Sequence, residues 1–170
     1  SVINRIGDLV GITLNGGELV HIGHTSTAIN EIVGSITINA ASTTTGGNSS
    51  VIRSVHNGAN VELTAVNLAR GAGGTVQFVG EGQDLGGTAN RVRFTGTVAN
   101  VSNNTLTWAT LDQVSTAGLE FVTHNGTNGI DDAAFVTSLA AATATDNVKL
   151  SASEVLLAPK TINALLLNGA

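Results

Sequence analysis

Residues 14–26 read LNGGELVHIGHTS, and two folds compete for them. Taken from the left, Leu14 closes an alternating apolar run, Asn15-Gly16-Gly17 makes a tight turn, and Glu18-Leu19 opens a second run. Asn-Gly and Gly-Gly both supply the positive φ that tight turns between strands require. Taken from the right, His21-Ile22-Gly23-His24 spells HIGH, a signature that works at the start of a helix in a nucleotide-binding enzyme. Strand and helix cannot both follow Gly17, so the rest of the chain has to decide.

Working outward, the dominant pattern has a period of two. Ile12/Leu14, Ile36/Ile38, Val61/Leu63, Val76/Phe78, Val92/Phe94, Leu106/Trp108, Leu119/Phe121, Val148/Leu150 and Leu165/Leu167 each place apolar residues two apart. Such pairs put apolar side chains on one face of a strand. Asn-Gly and Gly-Gly dipeptides punctuate the runs, and the only proline, Pro159, stands at a turn position. The prediction is an all-β chain in one domain spanning 1–170, which could be an excerpt or processed piece of a longer repeat protein. One stretch differs: DDAAFVTSLAAATATD (131–146) is alanine-rich. At most one short helix is expected there, capped by Asp131 or Asp132. A parallel β-solenoid is the expected architecture, with an antiparallel β-sandwich as the alternative. Strand spacing alone does not choose between them.

Composition narrows function. Charged residues make up 11% of the chain and the net charge is −5. Two lysines and five arginines stand against 22 threonines, 17 asparagines and 21 glycines. Nucleic-acid binding needs clustered cations to displace counterions, and Arg91-Val92-Arg93 is the nearest approach. No nucleic-acid partner is expected. The absence of cysteine excludes disulfides and thiolate metal sites. No apolar run is long enough for a membrane-spanning helix.

Several stretches carry a family likeness. NRIGDLVGITLNGGEL (4–19), EIVGSITINAAST (31–43) and NVELTAVNLARGAGGTVQFVGEG (60–82) resemble the autotransporter-associated β-strand repeat proteins. ATATDNVKLSAS (142–153) and KTINALLLNGA (160–170) are similar to later stretches of the same repeats. The resemblance implies an elongated parallel β-solenoid, bacterial export to the cell surface or exterior, and a structural or adhesive role. It supplies no catalytic residues.

The residues that could carry chemistry fit simpler roles. His21 and His24 follow an Asn-Gly-Gly turn without any βαβ context, so the aminoacyl-tRNA synthetase reading of HIGH fails. Three apart on a strand, they point to opposite faces and make a poor metal pair; both are expected at the surface. Asp112, Glu120, Asp131 and Asp132 are the acids available for glycan cleavage, yet turn and cap chemistry accounts for the adjacent pair. Trp108, paired with Leu106 at strand spacing, is expected in the core. The turns 80–87 and 125–132 match no established calcium loop. No catalytic, cofactor or metal residues and no cofactor are therefore assigned.

The expected function is that of a non-enzymatic extracellular structural protein, self-associating head to tail into a filament. An adhesin segment binding glycan or another cell is the alternative, and a polysaccharide-cleaving β-helix enzyme the second. The assembly residues expected are Val2 and Ile3 near one end and Leu165, Leu166 and Leu167 near the other. Three consecutive leucines cannot share one face of a strand, so at least one needs cover from elsewhere.

Overall fold

The computed structural model describes residues 5–40, 49–99 and 101–168. Among them the chain is all-β, with sixteen strands and no helix. Nine of the strands come as three successive triplets. The first is β1 (Ile12–Leu14), β2 (Glu18–Ile22) and β3 (Ile29–Val33). The second is β4 (Ile36–Ile38), β5 (Ser50–Val55) and β6 (Val61–Ala65). The third is β7 (Leu68–Arg70), β8 (Val76–Glu81) and β9 (Asn90–Phe94). Each strand of the first two triplets pairs with the one three places later, always parallel and in unbroken register. The chain thus visits three parallel sheets in turn and returns to each: β1-β4-β7, β2-β5-β8 and β3-β6-β9. An antiparallel sandwich does not provide these pairings.

In-register parallel pairing stacks like positions into columns. Leu19, Ile52 and Phe78 form one; Ile12, Ile36 and Leu68 another; Val33, Ala65 and Phe94 a third. Their inner members are almost fully buried, Ile36, Ile52 and Phe78 at 0% exposure. Each such side chain contributes roughly 1.5–3 kcal/mol. Phe78 and Phe94 meet edge to face, with ring centroids 6.4 Å apart, and join two sheets across the core. The turns stack as well. Asn39 Nδ2 donates to Asn15 Oδ1 at 3.0 Å, Asn67 Nδ2 donates to Ser35 Oγ at 2.9 Å, and the Thr97 N–H donates to Asn67 Oδ1 at 2.7 Å.

The pattern then changes direction. A bridge from Leu68 to Val98 begins a further turn of the chain. A hairpin of β10 (Val101–Ser102) and β11 (Thr105–Leu106) follows. Its turn residues, Asn103 and Asn104, have left-handed φ of 45° and 61°, which Asn tolerates better than other side chains. Trp108 is buried, as expected, and its Nε1–H donates to the Ala99 carbonyl at 3.0 Å. β12 (Ala109–Asp112) adds to β8 in parallel, but β13 (Glu120–Asn125) and β14 (Gly129–Asp132) then pair antiparallel. Finally β15 (Asn147–Leu150) and β16 (Ala164–Leu167) make a separate parallel pair.

The short helix allowed near 131–146 does not form. Glu154 accepts bonds from Ser138 Oγ and from the Leu139 and Ala140 N–H groups, while Asp146 accepts the Thr143 N–H. Those carboxylates hold amides in turns in place of i→i−4 helical bonds, and Thr137, Thr143 and Thr145 add β-branching that a helix disfavours.

Candidate assembly surface

Of the five residues expected to mediate assembly, Val2 and Ile3 lie outside the described residues. The three leucines all fall on β16. β16 lies in register on β15, Val148 opposite Leu165 and Leu150 opposite Leu167. No strand pairs with its other edge among the described residues. Alternation separates the leucines: Leu165 and Leu167 are 47% and 70% exposed, whereas Leu166 is half-buried. Leu165 and Leu167 share the face of Val148, which is fully buried. Leu165 continues the column that runs from Val136 through Val148, Leu167 stacks on Leu150, and no further strand lies over either among the described residues. The residues needing cover are therefore the outer two, not Leu166.

Side chains hold this pair of strands to the body. Lys149 forms an ion pair with Glu120 of β13 and lies over the Phe135 ring, 5.2 Å from its centroid. Asn163, just before β16, bonds to Ser102 and Asn147, and Asn168 Nδ2 donates to the Ala117 carbonyl at 2.9 Å. The Asn168 N–H donates to the Leu150 carbonyl at 2.8 Å; the Asn39 N–H donates to the Leu14 carbonyl at 2.9 Å in the same way. β15 and β16 thus repeat the step that relates β1 to β4.

At the opposite end, β1, β2 and β3 are each the last strand of their sheet. Residues 5–11 cover part of this end. Buried Glu31, on β3, stands at an inner position where its column partners are Leu63 and Val92. Its carboxylate accepts the N–H groups of Arg5 and Ile6, and the Val10 carbonyl accepts the Gly34 N–H at 2.9 Å. These contacts fall on β3 and on the turn after it. No described backbone bond reaches the outer edge of β1.

A cavity of about 280 Å³ remains beneath this segment, lined by Ile6, Ile12, Leu19, Val33 and Leu63, with His21 at its wall. His21 was expected at the surface, and here the expectation fails. Residues 18–22 alternate so that Leu19 and His21 face inward and Val20 and Ile22 face out, 43% and 54% exposed. The register with Ile52 and Ser54 sets this phase. Burial pushes the imidazole below its ordinary pKa, Arg5 adds to that, and Glu31 opposes it. His21 is therefore neutral at pH 7, and its Nε2 has no hydrogen-bond partner among the described residues. His24 is exposed, as expected; its Nδ1 accepts the Ser26 and Thr27 N–H groups at 3.2 Å.

The four acids do not converge. Asp112 contacts Gln77 on the outer face, and Glu120 is taken by Lys149. Asp131 and Asp132 are neighbours on β14; burial, then Asp132 and Asp84, raise the Asp131 carboxyl. No group of three potential ligands from His, Asp and Glu occurs among the described residues. No described helix is long and apolar enough to cross a membrane. Residues 125–132 comprise the β13–β14 turn and β14 itself, and in the turn Asn125 Oδ1 accepts the Thr127 and Asn128 N–H groups.

One feature escaped the sequence reading altogether. A cleft of about 390 Å³ opens between the β10–β11 turn, β13–β14 and residues 133–147. Asn103, Asn104, Thr123, Asp132, Phe135 and Asp146 line it. These residues are scattered over more than forty positions, and only the consecutive Asn103-Asn104 pair hints at a special turn.

Comparison with protein-family models, curated proteins and solved structures finds no match to the chain.

Proposed function

We propose that the chain is a non-enzymatic structural segment of a secreted or cell-surface bacterial protein, a parallel β-solenoid resembling the autotransporter-associated β-strand repeats, and that it self-associates end to end. The exposed edge of β16 carries this reading. A parallel edge with two exposed leucines is a template for another strand, and β1 offers one of matching register. Leu165-Leu166-Leu167-Asn168 aligns with Ile12-Thr13-Leu14-Asn15, placing Leu165 and Leu167 over inward-facing Ile12 and Leu14. Asn168 then falls next to the Asn15–Asn39 amide pair and would lengthen it. Such a contact joins different surfaces, does not close on itself and propagates. Three further observations support the reading: the triplet return of parallel strands, a surface rich in Thr and Asn but poor in Lys, and four candidate acids that do not converge.

Sedimentation velocity across a concentration series tests it. The native chain is expected to grow in size with concentration, and Leu167→Asp to stay monomeric with unchanged circular dichroism. A native chain that remains monomeric at high concentration refutes the proposal.

A further inference from the structure

We propose that the cleft between the β10–β11 turn, the β13–β14 hairpin and residues 133–147 binds a neutral saccharide. The cleft is a separate surface from β16, and the inference does not depend on assembly.

The chemistry of the wall points to this ligand. A sugar ring presents hydroxyls that both donate and accept, and an apolar face of C–H groups. Asn103, Asn104 and Thr123 offer amide and hydroxyl groups of both kinds, and Asp132 and Asp146 offer carboxylate acceptors. Phe135, 39% exposed, offers an apolar ring. No lysine or arginine lines the cleft, so nothing there matches a phosphate, sulfate or carboxylate. The volume, about 390 Å³, has room for a mono- or disaccharide and lies within the usual range for small-ligand sites.

The wall is also held in place before any ligand arrives. Asn147, buried at the floor, donates to Thr105 Oγ1 at 2.8 Å and to the Ala134 carbonyl at 2.9 Å, and its Oδ1 accepts from Asn163. Its amide is fully engaged, so it supports the site and leaves contact with the ligand to others. Thr123 Oγ1 donates to the Asn104 carbonyl at 2.7 Å and keeps its acceptor capacity. Asp146 Oδ2 takes the N–H and O–H of Thr143, each at 2.8 Å, which fixes the carboxylate and leaves Oδ1 for a ligand. Those bonds hold its carboxyl below the ordinary range, so it stays an acceptor in mild acid. Lys149 lies over Phe135 from outside the cleft and backs the ring. The Asn104 side chain, exposed at φ 61°, makes no hydrogen bond among the described residues. Pre-fixed groups of this kind lower the ordering cost of binding.

Saturation-transfer NMR and calorimetry on the whole chain test the proposal, with lactose, maltose and cellobiose as probes and 3′-sialyllactose as the anionic counterpart. At least one neutral disaccharide is expected to bind saturably, more tightly than the sialylated sugar. Asn104→Gly keeps the left-handed backbone and removes only the amide; Phe135→Leu keeps the bulk and removes the ring. Each is expected to weaken binding roughly tenfold with circular dichroism unchanged. The proposal is overturned by the absence of saturable binding up to about 50 mM sugar, by equal or tighter binding of sialyllactose, or by affinities unchanged in both variants.

Discussion

Replacing Lys149 by methionine removes the cation that neutralises Glu120 while keeping most of the bulk over Phe135. The Glu120 side chain is 6% exposed and that of Lys149 13%. Glu120 Oε2 already has no hydrogen-bond partner among the described residues, so the variant leaves a buried carboxylate with neither a counter-ion nor a donor. Breaking one side of a buried pair costs about 3–5 kcal/mol, a large share of the roughly 5–15 kcal/mol that holds a domain folded. Part of the cost is local, because Lys149 is one of the side chains that tie β15 to the body. Hydrogen exchange should therefore show lost amide protection across β15 and β16 before the three parallel sheets are affected. Denaturant unfolding of the native chain, Lys149→Met, Glu120→Leu and the double variant closes the cycle. The double variant is expected within about 1 kcal/mol of native or above it, since an apolar pair avoids the desolvation cost. The reasoning fails if Lys149→Met loses less than about 1 kcal/mol with full β15 protection, or if the double variant is no better than the single.

Two other outcomes follow from inner groups. His21 has a folded-state pKa depressed below 6.5 by burial, so the unfolded chain binds the extra proton first. Its contribution is complete above the unfolded value and is lost as pH falls through the folded one. Melting temperature should fall between about pH 7 and pH 5, and less steeply in His21→Leu; equal slopes would remove His21 as a cause. Gly71→Ala places a Cβ 2.2 Å from Asn39 Oδ1, against the stacked amide pair, and is expected to cost about 1–3 kcal/mol. Adding Asn39→Ala should restore most of the loss in thermal unfolding, and a failure to do so would put the strain elsewhere.

The strands were legible because burial on one face imposes a period of two, and Asn15-Gly16 is the turn its chemistry implied, with Gly16 at φ 86°. Leu63, Phe78 and Phe94 recur along the chain but mark strands of two sheets only. β7, only three residues long, lies between Leu63 and Phe78 and is too short to register as a period. Phase was harder to read than period. In residues 18–22 an apolar pair and a Leu/His pair alternate, and apolarity alone turns Val20 and Ile22 inward. The neighbouring strand decides otherwise, because Leu19 must stack on Ile52. The cleft was illegible for another reason: its walls come from three separate segments that meet only after the chain reverses at β13.

The two ends of the molecule obey one rule. In a stack of parallel strands an inner side chain is covered by the layer on either side, whereas one in an end layer can be reached by groups from outside the sheets. Glu31 and His21 stand in the first layer, above Leu63 and Ser54. Glu31 is tolerated because the Arg5 and Ile6 N–H groups reach it from outside the sheets. Those bonds tie residues 5–11 to β3, and no described backbone bond reaches the outer edge of β1. At β16 the mismatch is of the other kind, with Leu165 and Leu167 apolar and exposed where no further strand lies over them among the described residues. Burying them is worth roughly 1.5–3 kcal/mol apiece, set against the cost of ordering two partners. One contact of this size is weak alone. Backbone bonds along the β16–β1 edge and a continued Asn ladder would have to supply the rest, so the assembly should be concentration-dependent and lost with a single charge at Leu167.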